Sequence, residues 1–123
     1  MKKLLCISFY LRTGTIRLHR STIRGLNNPS FVRFLLSDDH KTLIVQPYSK
    51  EDFCSVRLRA YKMGSPDKSE IRSTGLCEHI ARINGWGPKS SYRIYGKTVT
   101  NTSMAVFEFS SQEKIDVEKL IPD

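Results

Sequence analysis

Residues 14–36 read GTIRLHRSTIRGLNNPSFVRFLL, a turn, a strand, a short helix and a second strand in one short run. Ile16 and Leu18 alternate with Arg17 and His19, the two-residue period of a strand with one buried and one wet face. The arginines are therefore expected outside. Ser21 and Thr22 carry hydroxyls able to accept from the first free amides of a helix, and Ile23 and Leu26 stand three apart, so a helix of one or two turns should follow. Asn27-Asn28-Pro29 stops it, because proline cannot continue a helix and biases Asn28 toward an extended backbone. Phe31 to Leu36 then has the β-branched and aromatic content of a strand.

Outward from this stretch, Leu5, Ile7, Phe9 and Leu11 alternate with Cys6, Ser8, Tyr10 and Arg12, giving a first strand that a short turn at 12–15 returns as a hairpin. On the other side Asp38 to Lys41 is a turn and Leu43 to Gln46 a fourth strand. The second half repeats the order. Val56 to Tyr61 alternates apolar residues with Arg57 and Arg59, Gly64 to Lys68 is a turn by composition, and Ser69 to Arg72 is a brief strand. Ser73 or Thr74 caps a helix over Thr74 to Asn84, in which Leu76, Ile80 and Ile83 fall on one face before Gly85 closes it. Tyr92 to Tyr95 and Met104 to Phe109 complete the strands.

The shared order is a repeat of pattern rather than of identity. It predicts a mainly β fold, a pseudo-twofold barrel of about eight short strands and two helices built from two ββαββ units at residues 4–47 and 54–109. Residues 1–110 would form one domain. Residues 111–123 would be a peripheral acidic tail, in which Ile115, Val117, Leu120 and Ile121 could pack as a short helix. Being opposite in charge to the first half, the tail could fold over it and weaken nonspecific binding.

The first half resembles the AbrB/MazE/SpoVT family of swapped-hairpin domains. Gly14-Thr15-Ile16-Arg17-Leu18 matches its Gly-x-Ile-x-Leu strand, Ile23-Arg24 with Leu26 its short arginine-bearing helix, and residues 31–36 and 43–46 its closing hairpin. His19-Arg20 stands where the family has proline, and Asn28-Pro29-Ser30 where it has Gly-Asp. The resemblance implies two interlocked units, usually as a dimer and sometimes as tandem copies in one chain. With both units in one chain a monomer is expected, a dimer being the alternative. The resemblance also implies a face of arginines offered to phosphates and groove edges of DNA, with Arg12, Arg17, Arg20 and Arg24 in comparable positions.

Charge points the same way. The 123 residues carry a formal charge of +8. Residues 1–61 hold 11 Lys/Arg against 4 Asp/Glu, or +7, and residues 62–123 hold 9 against 8, or +1. No acidic residue precedes Asp38. Arginine's planar fork can pair two acceptors at once, on phosphate or guanine, and Tyr10 nearby offers a stacking surface. The nucleic-acid-binding candidates are Arg12, Arg17, His19, Arg20, Arg24 and Arg33, and the expected role is a DNA-binding regulator of transcription. A different reading is a small protein-binding inhibitor or antitoxin-like protein of a phage or mobile element, docking on a nucleoprotein complex. Its contacts would be Tyr61, Trp86, Tyr92 and Tyr95, which with Phe53 exceed what one small core must bury.

An enzyme is not expected, since no glycine-rich phosphate loop, paired-carboxylate site or Ser-His-Asp arrangement can be assembled, and no cofactor is implied. Cys77 and His79 stand two apart on a helix and so face different ways, which speaks against a metal site. Cys6, Cys54 and Cys77 are odd in number and widely spaced, unlike a disulfide framework, and suit a reducing cytoplasm. The apolar run near the N-terminus reaches only Leu11 without a small-x-small cleavage site, so it reads as a strand. No segment approaches the roughly 18 apolar residues of a membrane span.

Overall fold

Alternation along the N-terminal segment produces a hairpin in which β1 (Leu5–Tyr10) and β2 (Thr15–Leu18) pair antiparallel. Ile7 lies opposite Leu18 and Phe9 opposite Ile16, all four buried. The structure, a computed structural model, describes residues 4–48, 60–62, 70–99 and 102–115. Beyond β2 the chain forms α1 (Arg20–Gly25), then β3 (Phe31–Leu36) and β4 (Thr42–Tyr48). After these come β5 (Ala60–Lys62), β6 (Glu70–Arg72), α2 (Thr74–Asn84), β7 (Ser91–Thr98) and β8 (Ala105–Ile115).

The first helix is not capped by Ser21 or Thr22. His19 is its N-cap and makes no side-chain capping bond. Thr22 lies one turn in, wholly buried, where its Oγ1 accepts from the Cys6 amide at 2.8 Å and donates to the Cys6 carbonyl at 2.7 Å. Because β2 ends at Leu18, the backbone beyond it reaches only the Cys6 carbonyl, through the His19 amide at 3.2 Å, and the Thr22 hydroxyl serves the Cys6 N–H in a strand's place. Asn28 is not extended either. Asn27 and Asn28 have φ of 63° and 50°, and the Asn28 amide returns to the Ile23 carbonyl at 2.9 Å, a closure that asparagine tolerates.

The second helix spans the expected residues. Ser73 Oγ accepts from the Leu76 amide, Gly85 ends the helix at φ 69°, and Cys77, Ile80 and Ala81 are buried. Trp86 follows, buried and stacked on Tyr92 with ring centroids 4.4 Å apart. Its Nε1 donates to Gln112 Oε1.

All strands join one antiparallel sheet in the order β5-β3-β4-β8-β7-β1-β2-β6. Exchanging the halves, β1 for β5, β2 for β6, β3 for β7 and β4 for β8, maps the β1–β7 pair onto β5–β3 and β3–β4 onto β7–β8. The pairs β4–β8 and β2–β6 map onto themselves, Leu43 facing Phe107 in one and Ile16 facing Ile71 in the other. Each ββαββ unit thus lends its first strand to the other, the pseudo-twofold arrangement that the repeat anticipates. The β1–β2 pair lacks its counterpart: among the described residues β5 and β6 are the two ends of the sheet, which is a curled half-barrel and not a closed barrel. Residues 56–59 of the anticipated strand, the turn at 64–68, Phe53 and Cys54 lie outside the described residues.

Apolar side chains of the inner face, among them Phe9, Ile16, Leu43, Ile94 and Phe107, form one core with Ile23 of α1, Leu26 at its C-cap, and Cys77 and Ile80 of α2. Gly96 marks the tightest approach, since a Cβ there would stand 2.1 Å from the Val106 carbonyl oxygen and 2.7 Å from the Phe107 ring. Farther along, the β7–β8 register shifts between Arg93 and Tyr95. Ser111 Oγ fills the gap, accepting from the Tyr95 amide at 2.9 Å and donating to the Glu108 carbonyl at 2.6 Å. This irregularity carries β8 past Phe109 to Ile115, which is buried, so Ser111 to Ile115 belong to the sheet and not to a peripheral tail. Residues 116–123 lie outside the described residues. Among the described residues no helix is long and apolar enough to cross a membrane.

Candidate nucleic-acid interface

On β1 the side chains of Leu5, Ile7 and Phe9 belong to the core, so Cys6, Ser8 and Tyr10 lie on the outer face. Register carries that face across the neighbouring strands. Arg17 of β2 and Arg93 of β7 lie opposite Ser8, Glu70 of β6 opposite Arg17, and Glu113 of β8 opposite Arg93. One row, Glu70-Arg17-Ser8-Arg93-Glu113, therefore crosses five strands. The next row on one side holds Arg72, Thr15, Tyr10 and Ser91, and the next on the other holds Cys6 and Tyr95.

Ser8 is wholly buried although it is on the outer face. Two side chains close over it: His19 Nε2 lies 2.7 Å from Ser8 Oγ, and Arg93 Nε donates to the same oxygen at 3.3 Å. Because Arg93 fills an acceptor position on Ser8, the serine proton is free to go to Nε2, an arrangement that suits a neutral imidazole. The electrostatics agree. Burial, then Arg93 and Arg17, push the His19 pKa below its ordinary value of 6.5. Burial raises the Cys6 thiol to about 11 against a smaller opposing effect of Arg93. At Arg93, burial favours proton loss but is outweighed by a hydrogen bond to Tyr95 and by Cys6, Tyr95 and Tyr10 nearby, so its pKa is raised and the guanidinium stays charged. The Ser8-His19 pair resembles half of a nucleophilic site, yet a serine with no exposed surface offers a substrate no line of approach.

Of the residues anticipated for nucleic acid, Arg12 is exposed in the β1–β2 turn, Arg17 is exposed on β2, and His19 is half-buried beside Ser8. Arg20 and Arg24 are exposed and stand four apart, hence on the same side of α1. Arg33 is separate: it is half-buried on β3, opposite Gln46 and Ala60, four strands away from β1. The four aromatics anticipated for protein docking do not gather on one surface. Trp86 and Tyr92 are stacked against the core, Tyr95 is on the outer face with its hydroxyl 3.2 Å from Glu113 Oε1, and Tyr61 is placed only by its backbone register opposite Val32.

Arg93, Arg72 and Ser8 were not among the anticipated residues. The repeat carried a signal for the first: Arg33 and Arg93 occupy equivalent strands, and the swap that sets Arg33 beside Ala60 of β5 sets Arg93 beside Ser8 of β1. The same swap brings Glu70 and Glu113 to the ends of the arginine row, which a count along the chain places far from it. Compared with family models, with curated proteins and with solved structures, the chain gives no match.

Proposed function

We propose that this protein binds nucleic acid through the outer face of β2, β1 and β7 together with the exposed side of α1. The observation that carries this reading is the placement of Arg17 and Arg93 on either side of Ser8, two strand spacings or about 10 Å apart. Arg72 stands in the next row and Arg20 and Arg24 on the helix that starts where β2 ends. Guanidinium groups are suited to phosphate because their fork donates two hydrogen bonds at once. Arg93 is oriented before any ligand arrives by its bond to Ser8 Oγ, so less side-chain freedom is lost on binding. Glu70 and Glu113 border the row and confine a polyanion to the track between them.

The resemblance to swapped-hairpin proteins would make the role that of a DNA-binding regulator, and the exchange of strands between the two halves supports a monomer. A reducing cytoplasm accords with the buried free thiols of Cys6 and Cys77. Replacing Arg12, Arg17, Arg20 and Arg24, all exposed, by glutamine tests the reading. The melting temperature should stay nearly unchanged, because exposed substitutions scatter to either side of zero within about 0.5 kcal/mol and their effects largely cancel. Affinity for nucleic acid should fall for all sequences alike, and the salt slope should shrink by about one unit for each phosphate contact removed. A folded variant that binds as before defeats the proposal, and docking on a protein partner then takes the lead.

A further inference from the structure

We infer that the strand held on this face is single, with unpaired bases stacked on Tyr10 and Tyr95 while Arg17 and Arg93 hold the phosphates; the inference rests on the nucleic-acid reading above. Direct reading of bases in duplex DNA is chiefly the work of an element that enters the major groove, about 12 Å wide. The arginine row here lies in the middle of five adjacent strands, β6, β2, β1, β7 and β8, whose four spacings of about 4.8 Å span about 19 Å. That face does not fit the groove. Helix α1 does not supply the missing element, because its six residues make a rod only about 9 Å long and its Thr22 and Ile23 are buried. The core fills the inner side of the curl, so the outer face is convex. A duplex is convex too, and two such surfaces meet along a narrow line, whereas a single strand bends to follow the sheet.

The aromatic residues decide the point further. Tyr10 on β1 and Tyr95 on β7 both lie on the outer face, diagonally on opposite sides of the Ser8-Arg93 pair. Four residues along the strand and one strand across separate them, about 14 Å. Arg93 lies between the two rings in register, and the Tyr95 hydroxyl is 3.2 Å from Glu113 Oε1. Alternating rings and guanidinium groups on an open sheet fit a chain of alternating bases and phosphates. A duplex keeps its base faces stacked inside and gives such rings nothing to bind. Among the described residues no feature of the face selects a sugar, so the ligand class is single-stranded nucleic acid as such.

The test is fluorescence anisotropy with labelled 12-nucleotide oligo-dT, oligo-U and a mixed-sequence 12-base-pair duplex at 50 and 200 mM salt. Both single strands should bind at least tenfold more tightly than the duplex. Tyr10→Leu and Tyr95→Leu should each weaken single-strand binding about tenfold with the salt slope unchanged. Tyr95→Phe, which keeps the ring, should bind as the parent does; should Tyr95→Leu unfold, Tyr10→Leu decides. Arg17→Gln with Arg93→Gln should lower the slope by about 1.4. Duplex binding as tight as single-strand binding, or Tyr10→Leu without effect, overturns the single-strand inference and leaves the nucleic-acid reading standing. Binding of none of the three probes at 50 mM salt overturns both, and preference for one of the two single strands overturns the lack of sugar selection.

Discussion

Replacing Thr22 by valine removes one hydroxyl and almost no volume, and the structure sets what that costs. Thr22 is wholly buried and its Oγ1 serves both backbone groups of Cys6, at 2.8 and 2.7 Å. The Cys6 carbonyl keeps a second donor, the His19 amide at 3.2 Å, whereas its N–H is left with nothing in place of the hydroxyl. A buried donor without a partner costs about 1–3 kcal/mol, and loss of the bond to the doubly served carbonyl adds less than one. The expected loss is about 2 kcal/mol, or a fall of roughly 8 °C in melting temperature for a chain of this size. Thr22→Ser keeps the hydroxyl and deletes a methyl group, at about 1 kcal/mol. Urea titration followed by circular dichroism should therefore rank the variants parent, serine, valine, with a common m value. If serine proves as costly as valine, packing and not hydrogen bonding holds α1 against β1.

Two further outcomes follow from the geometry. Gly96→Ala should destabilise by at least about 1–3 kcal/mol in the same titration, because its Cβ would meet a backbone oxygen at 2.1 Å and strands β7 and β8 must part to admit it; an unchanged midpoint would show that the strands are not in close contact there. His19 titrates below 6.5 in the folded chain, so between that value and its folded pKa the unfolded chain binds the extra proton, and stability is full above about pH 6.5 and falls as pH drops through that window. His19→Gln should lose less stability between pH 7.5 and 5.5 than the parent does, and equal losses would refute the assignment.

Much of the fold is legible along the chain because each element carries its own period. Alternation in Leu5 to Tyr10, the Ser73 cap with Gly85 at the other end of α2, and the repeated ββαββ order all locate elements without reference to partners. What the chain does not display is pairing. That β1 lies beside β7, and that Arg17 and Arg93 thereby flank one serine, depends on an exchange between halves; no local pattern encodes it. The Thr22 hydroxyl misleads for a related reason, since a threonine near a helix start looks like a cap until β1 is known to need a partner there. Trp86 and Tyr92 look like excess aromatics until Gln112 and Phe109 are brought to them by the β8 irregularity. Acidic residues followed the same logic, for Glu70 and Glu113 are remote in sequence and adjacent to the arginines in space.

The exchange of first strands between halves also shapes how the chain is made. Ser8 and Arg93, which touch in the finished sheet, are 85 positions apart. During synthesis β1 waits with one edge bare until β7 emerges, and β3 waits in the same way for β5. Contacts of such separation place folding among the slower small domains, in milliseconds to seconds. A bare edge is a template for pairing with another nascent chain. Arg12, Arg17, Arg20 and Arg24 all stand on or beside the hairpin that waits, where like charge sets two newborn chains apart. Charge of one sign beside a bare edge is the kind of feature that keeps strands of different chains from pairing.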